Sequence, residues 1–352
     1  MEYKILTYEQ IDKQEWSRLV ASSATGTWFQ TPEAYDFYAQ QPSLFKPFVV
    51  AIKKSESRVE SIESRELRGV CVGYVTVEKN PIKQFLTRRA IIIGGPCIAD
   101  NCTDEEVAAL MKAVKSTLLL GRDGVGSSPI YIETRNFNDY SRWKDAFAKA
   151  GFEYVPHLNF HVHTNQGWDA IEEKIGKHRK KYIRLSFRDG ATIEENPTTE
   201  QVHTYYDILI DLYRTKVKMP LQPWEFFEKL YHCPSCKYLL VMLDGQVIGG
   251  SICMLLPGHG MYEWYACGKD GVFKNIHPSS VTKYAGMKYA CDNGYAVFDM
   301  MGAGKPDEEY GVRDFKAEFG GDLVEHGRFL CVTKPLLYKI GVLGVKILKK
   351  LK

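Results

Sequence analysis

Apolar and polar positions along the 352 residues switch repeatedly between a period near two and a period near 3.6. That switching predicts alternating strands and helices, an α/β class with mixed sheets flanked by helices. In the first half, Lys46 to Lys53 and Arg68 to Glu78 read as two strands. The charged, aperiodic stretch Lys54 to Leu67 between them is expected to be an exposed hairpin loop. Thr103-Asp-Glu-Glu opens a helix over Asp104 to Leu120, its acids suited to the positive N-terminal end. A strand over Ile130 to Thr134, a short helix over Trp143 to Ala150 and a strand within Phe152 to Val162 follow. The second half repeats this order. Tyr238 to Leu243, an Asp244-Gly245 turn and Val247 to Leu255 read as a hairpin. Met261 to Cys267 is a further strand, and Ser279 to Asn293 is a helix closed by Gly294. Tyr295 to Met301 is the next strand, with a short helix over Val312 to Glu318.

Two segments match across the halves. Phe147-Ala-Lys-Ala-Gly-Phe152 parallels Phe315-Lys-Ala-Glu-Phe319-Gly320, and Val70 to Val75 parallels Val247 to Ile252. The chain therefore reads as two copies of one α/β unit. The expected boundaries are 1–158, with the C-terminal segment 330–352 packed on it, and 159–329. The helix–Gly-Phe–strand ending at Phe147 to Val155 resembles the end of a GNAT acyltransferase domain, which implies two tandem GNAT-like domains. A GNAT enzyme that uses coenzyme A carries a glycine-rich turn at a helix N-terminus, where backbone N–H groups hold the pyrophosphate. Phe273-Lys-Asn-Ile-His-Pro-Ser-Ser280 stands in that place and lacks those glycines.

Hydrophobic content of 45% and charged content of 25% are those of a folded globular chain, which excludes disorder and rod-like architectures. The net charge of +3 is unevenly placed: six lysines and no acid lie from Lys334 onward, and without them it is −3. Such a body is no general nucleic-acid binder, so a polyanion must be gripped locally. No uninterrupted apolar run reaches membrane-spanning length, and Met1 to Glu15 lacks an export pattern, so a cytoplasmic protein is expected. Nine scattered cysteines fit reduced thiols. Cys233-Pro-Ser-Cys236 has zinc-ligand spacing but no second pair to complete a site, so no metal is expected.

The richest stretch lies between Met261 and Gly321. It contains Tyr262-Glu-Trp-Tyr265, Asn275-Ile-His-Pro278-Ser-Ser280, Phe298-Asp299-Met-Met-Gly302 and Gly311-Val-Arg313-Asp-Phe315-Lys316-Ala-Glu-Phe319-Gly-Gly321. With Trp28-Phe-Gln30-Thr near the start and a basic helix from Lys174, this order resembles the Fem family of aminoacyltransferases, which extend peptidoglycan precursor peptides using aminoacyl-tRNA. The chain lacks the charged helical arm found in some members, so the resemblance is to an arm-less type. It also lacks the lysine that often follows the Trp-Phe-Gln motif, running instead Asp36-Phe-Tyr-Ala-Gln-Gln41.

Between Lys174 and Arg188 stand seven cations, with Lys177, Lys181, Arg184 and Arg188 on one helical face and Ile171, Ile175, Tyr182 and Leu185 available for a buried side. A solvated charged face would give the same pattern, but the self-repulsion of seven cations favours an anionic partner. The resemblance implies that Arg179, Lys180 and Arg184 bind precursor phosphates; arginine can do so with two parallel hydrogen bonds. It also implies that Lys316 points into the reaction centre, with Trp28, Tyr262, Tyr265, Arg313 and Phe315 lining the substrates. Asp299, Asp307, Glu308 and Glu309 are weaker candidates, and His157, His161 and His163 read as structural because no acid lies near them in sequence.

The function implied is aminoacyl transfer from aminoacyl-tRNA to the stem-peptide amine of a nucleotide- or lipid-linked precursor, without a resident cofactor. Two alternatives stay open: an N-acyltransferase of the same fold using acetyl-coenzyme A, and a non-catalytic binder of anionic precursors. Finally, Leu336, Ile340, Leu343, Ile347 and Leu351 form an apolar stripe opposite lysines. The 336–352 helix is expected to dock that stripe either on the first unit or on a membrane surface as a peripheral contact.

Overall fold

The structure is a computed structural model and describes residues 3–54, 66–120 and 128–350, with the backbone alone from 345. The expected loop within Lys54 to Leu67 falls largely outside the described residues. The chain divides into two compact units, 1–157 with 325–352, and 158–324.

In the first unit the sheet contains β1 (Tyr3–Leu6), β2 (Phe45–Lys54), β3 (Leu67–Thr76), β4 (Ala90–Gly94), β5 (Cys97–Ile98), β6 (Tyr131–Asn136) and β7 (Glu153–Val155). The second unit supplies β8 (Asn159–His163), β9 (Thr192–Glu194), β10 (Cys236–Leu243), β11 (Gln246–Leu255), β12 (Gly260–Gly268), β13 (Val297–Gly302) and β14 (Asp322–Val324), after which β15 (Arg328–Val332) returns to the first sheet. The strand orders are β1-β2-β3-β4-β6-β15-β7 and β9-β10-β11-β12-β13-β8-β14. They correspond strand for strand, so the repeat read in the sequence is a repeat of topology. In each sheet one central pair is parallel, β4 with β6 and β12 with β13.

The helices of the first unit are α1 (Lys13–Ser22), α2 (Pro32–Ala39), α3 (Pro81–Thr87), α4 (Asp104–Leu120) and α5 (Lys144–Lys149); the second adds α6 (Trp168–Lys174), α7 (Lys177–Arg188), α8 (Thr199–Leu212), α9 (Trp224–Tyr231), α10 (Pro278–Asp292) and α11 (Gly311–Ala317), and α12 (Pro335–Lys350) ends the chain. Helix α4 occupies the expected residues, and its acidic first turn includes Glu106, which ion-pairs with Arg68 at 2.9 Å. The hairpin β10–β11 turns at Asp244 and Gly245, both with positive φ as a tight turn of that hand requires. Each core packs a long helix on its sheet: Leu110, Met111, Val114 and Leu118 of α4 in one, and Ala285, Met287 and Ala290 of α10 in the other.

Two elements differ from expectation. The strand sought in Phe152 to Val162 is two strands, β7 and β8, and they belong to different sheets. Pro156 cannot donate to a ladder, so a break at Val155 is where the chain can leave one sheet for the other. The basic helix is also two helices, because Ile175 is extended and Gly176 begins α7 afresh. The Gly176 N–H donates to the Glu318 carbonyl at 2.8 Å, and a Cβ there would lie 3.2 Å from that oxygen, so glycine permits the approach. On α7 the fully buried residues are Ile183 and Ser186, while Tyr182 stacks on His277 at 3.9 Å.

Candidate active site

The site is built where two parallel strands part. β12 and β13 pair at only three positions, ending at Tyr262 with Asp299, although both strands continue beyond. On its other edge β12 carries a bulge, since Tyr265 opposes Ile252 and Glu263 opposes Cys253, leaving Trp264 as the extra residue. The divergence leaves main-chain groups and side chains at the strand ends free of the ladder, and ionisable residues collect there.

Glu263 is buried and accepts a hydrogen bond on Oε2 from the Lys283 ammonium of α10. Its second oxygen, Oε1, is buried without a hydrogen-bond partner among the described residues. Burial pushes the Lys283 amine well below its ordinary range, the neighbouring Lys316 pushes it further, and Cys253 and Asp299 oppose the shift. Glu263 and Lys283 thus form a buried, hydrogen-bonded pair in which one carboxylate oxygen has no partner among the described residues.

Asp299, also buried, accepts from the Met301 N–H at 2.6 Å and faces His161 Nε2 at 3.4 Å across the β13–β8 register. Burial alone would lower the His161 pKa, but the Asp299 carboxylate outweighs it, helped by Asp322, and the net shift is upward. Acid partners do exist, brought in by strand pairing from distant sequence: Asp299 for His161, and Asp322 for His163 at 3.3 Å.

Lys316 of α11 is buried and donates to three main-chain carbonyls at the end of β13: Met300 at 2.5 Å, Gly302 at 2.9 Å and Met301 at 3.3 Å. Met301 lies in the left-handed region (φ 60), an uncommon conformation for a residue with a side chain, and the ammonium pins it on both sides. Burial lowers the Lys316 pKa to about 8, with Asp299 opposing the shift. All three donors are thus committed, and the side chain shapes the strand end directly.

The remaining candidates fall into separate places. Arg179 is partly buried: it ion-pairs with Glu318 at 2.8 Å, reaches Ser280 Oγ at 3.3 Å and lies 4.5 Å over the Phe315 ring. It joins α7 to α11, the helix that carries Lys316. Arg184 is 73% exposed and 3.9 Å from Glu172, and Lys180 Nζ donates to the Glu173 carbonyl at 3.1 Å. Arg313 closes the loop before α11 by donating to the Lys305 carbonyl at 2.6 Å and to that of Glu308. Phe315 packs on Phe319 with ring centres 5.1 Å apart. Tyr262 ends the part of β12 paired with β13, and Tyr265 stands among Phe227 and Trp264. Trp28 lies in the core of the first unit, its indole N–H donating to Glu33 at 2.8 Å.

Sequence reasoning passed over Glu263, Lys283 and Asp270. Lys283 left a signal: it sits on the i, i+3, i+7, i+10 stripe Ser280, Lys283, Met287, Ala290, all buried, so a lysine occupied a core position. Asp270 decides how the N-terminus of α10 is used. Its Oδ1 accepts the Ser279 N–H at 3.2 Å and its Oδ2 accepts the Ser279 hydroxyl, while Pro278 has no N–H to offer. The N–H groups of Ser280 and Val281 turn back to the His277 carbonyl. A carboxylate thus takes the place where a coenzyme A pyrophosphate would need free N–H groups, so the residues present do not fit that cofactor. A neighbouring cavity of about 550 Å³ is lined by charges of both signs, Asp207, Asp211 and Asp270 with Lys216 and Lys269. Among the described residues, no group of three or more His, Cys, Asp or Glu is placed to hold a metal.

Comparison with known proteins bears on the fold. Residues 173–316 match the acetyltransferase (GNAT) domain family, and thus the second unit carries an acyltransferase domain. The chain is similar in structure to FemX, with a TM-score of 0.71 and 16% identity over 97% of this chain and 99% of that one. It is also similar to a tandem GNAT protein from the clavulanic acid biosynthesis pathway (TM-score 0.57, 9% identity, 94% and 98% covered). A third similar structure is the C-terminal domain of a putative lysylphosphatidylglycerol synthetase from Agrobacterium fabrum (TM-score 0.54, 12% identity, 93% and 94% covered). No curated protein matches the sequence. The fold is two tandem GNAT-like units.

Proposed function

We propose that this acyltransferase is an aminoacyltransferase that moves an amino acid from aminoacyl-tRNA to the amine of a peptidoglycan-precursor stem peptide. The observation that carries the choice of donor is Asp270 on the N-terminus of α10, where an acyl-coenzyme A would need its pyrophosphate held. The Fem-like motifs from Tyr262 to Gly321 support the choice of acceptor.

In this reading the acceptor amine attacks the ester carbonyl carbon, the C–N bond forms and the carbonyl oxygen gains negative charge. The ester C–O bond then breaks, the ribose oxygen leaves, and the attacking nitrogen must lose a proton. Glu263 takes that proton on the open Oε1, with Lys283 tuning the carboxylate from the other side. Glu263 then returns that proton to the departing ribose oxygen, so the carboxylate is regenerated and the step balances. Lys316 fixes Met300 to Gly302 so that the strand end keeps its shape throughout, and its charge favours the developing oxyanion. An aminoacyl ester is already activated, so positioning supplies much of the rate. Arg184 and Lys180, on the outward side of α7, bind acceptor phosphates, whereas Arg179 holds α7 to α11.

The test is to incubate the purified protein and a precursor pentapeptide with mixed aminoacyl-tRNAs, and separately with acetyl-coenzyme A, and to weigh the peptide. A mass gain of one or more amino-acid residues from the tRNA pool is expected. A gain from acetyl-coenzyme A alone would replace this reading with an N-acetyltransferase.

A further inference from the structure

Helix α12 turns the described part of its apolar stripe away from its own unit. Leu336 is 73% exposed, Ile340 54% and Leu343 59%, three residues at i, i+4 and i+7. The opposite side does the docking: Tyr338 sits edge-on to Tyr131 of β6, with ring centres 5.5 Å apart. The apolar face is therefore not what holds α12 in place.

A second helix adds to it. Helix α3, joined to β4 by two residues, packs beside α12, and the Lys334 ammonium lies 5.9 Å over the Phe85 ring. Ile82 is 72% exposed and Phe85 58%, although both are large apolar residues on a seven-residue helix. Two adjoining helices of one unit thus present apolar side chains to the outside. Cations surround them: Lys79, Lys83 and Lys339 are exposed, and Lys334 is partly so. Glu78, the acid just before α3 in sequence, is engaged by Lys83 at 2.7 Å. The sequence then adds four more lysines after Lys339, with no acid.

We propose that the α3–α12 face is a docking surface for an anionic lipid bilayer. Apolar side chains from both helices enter the headgroup boundary while the flanking ammonium groups meet lipid phosphates. A second copy of the chain fits this face poorly, because a two-fold contact would set the lysines of one copy against those of the other. Among the described residues no helix is long and apolar enough to cross a membrane, so the face lies on the surface of the bilayer. The inference stands independently of the acyl donor and acceptor.

The experiment is vesicle co-sedimentation of the full chain. Vesicles containing phosphatidylglycerol should pellet the protein, while pure phosphatidylcholine vesicles or high salt should leave most of it in solution. Phe85→Glu and Ile340→Glu should each lower partitioning by about tenfold or more, because each withdraws one large apolar group and adds an anion. Circular dichroism melts of both variants should match the parent, since neither side chain is buried in the fold. Loss in the α12 variant alone would overturn the two-helix face. So would the absence of pelleting with phosphatidylglycerol, or a concentration-dependent dimer, measured without lipid by sedimentation velocity, that either substitution abolishes.

Discussion

The two units place the same three strands side by side and fill them with opposite chemistry. Aligned by register, Ile92, Thr134 and Phe329 form a row across β4, β6 and β15, and Tyr262, Asp299 and His161 form the matching row across β12, β13 and β8. In the first unit the row is neutral and closed. Thr134 Oγ1 accepts the Phe329 N–H at 2.9 Å, and the parallel pairing continues for two more positions, to Gly94 with Asn136. Where β3 and β4 part instead, Gln30 bridges them, donating to Val72 and Ile93 carbonyls at 3.0 and 2.9 Å and accepting the Val72 N–H at 2.8 Å. In the second unit the β12–β13 pairing stops at that row, which includes Asp299, and Glu263, Lys283 and Lys316 stand around its end. One topology thus serves as a satisfied scaffold in one copy and as a charged site in the other. Buried ionisable groups are costly. The first unit pairs its own, Arg68 with Glu106 and, partly buried, Arg328 with Glu133. Glu263 in the second keeps one oxygen without a partner among the described residues, which supports the second unit as the proposed seat of chemistry.

The largest effect that could break this contrast is on rate. Glu263→Gln keeps the shape but removes the proton acceptor, and single-turnover transfer should fall about 10²- to 10⁴-fold. Lys316→Met leaves three carbonyls without their donor and removes a charge from the site. The rate should drop about 10²-fold with both substrates still bound, as measured by equilibrium binding beside single-turnover kinetics. Gln30→Ala should do the reverse, leaving three buried main-chain groups unpaired. A stability loss of about 3 kcal/mol or more is expected in urea unfolding, with the rate of the folded fraction nearly unchanged.

How far this contrast could be read beforehand varies by element. The hairpins were legible as apolar runs parted by turn or charged segments, α4 as a helix with one buried face, and α10, buried on most sides, by its length and the glycine that closes it. The Trp28-Phe29-Gln30 segment was legible as a motif but not as a bridge, since Gln30 meets partners 42 and 63 residues away. Asp299 with His161, and Glu263 with Lys283, were likewise hidden by sequence distance. Lys316 stood out by motif, yet its three carbonyl acceptors follow from the left-handed turn at Met301, which a methionine does not announce.

Smaller effects sharpen the account. Arg184→Ala should raise the acceptor KM by about tenfold or more through loss of one phosphate contact. Arg179→Ala should act mainly on kcat, because it frees α11 from α7 and loosens the seat of Lys316. The pH response separates stability from rate. With the Lys316 pKa near 8 in the fold and 10.5 ordinarily, the unfolded chain binds more protons between those values. Its contribution to stability therefore rises with pH across that window and is flat below it, while the rate, which uses the ammonium, falls above about pH 8. His161 runs the other way. Its raised pKa contributes stability that is complete below 6.5 and is lost as pH climbs through the folded value. Melting curves of the parent, Lys316→Met and His161→Gln across pH should show each slope vanish with its residue.

In the proposed reaction Glu263 and Lys283 handle the proton as one unit, and a double-mutant cycle tests that coupling most directly. Single-turnover transfer from aminoacyl-tRNA to the precursor pentapeptide would be measured for Glu263→Gln, Lys283→Met and the combined variant, with folding checked by calorimetry. The account expects the combined variant to be no slower than the slower single one, since groups that act together are lost together. Losses that multiply, or a Glu263→Gln enzyme that turns over at the parent rate, would contradict it.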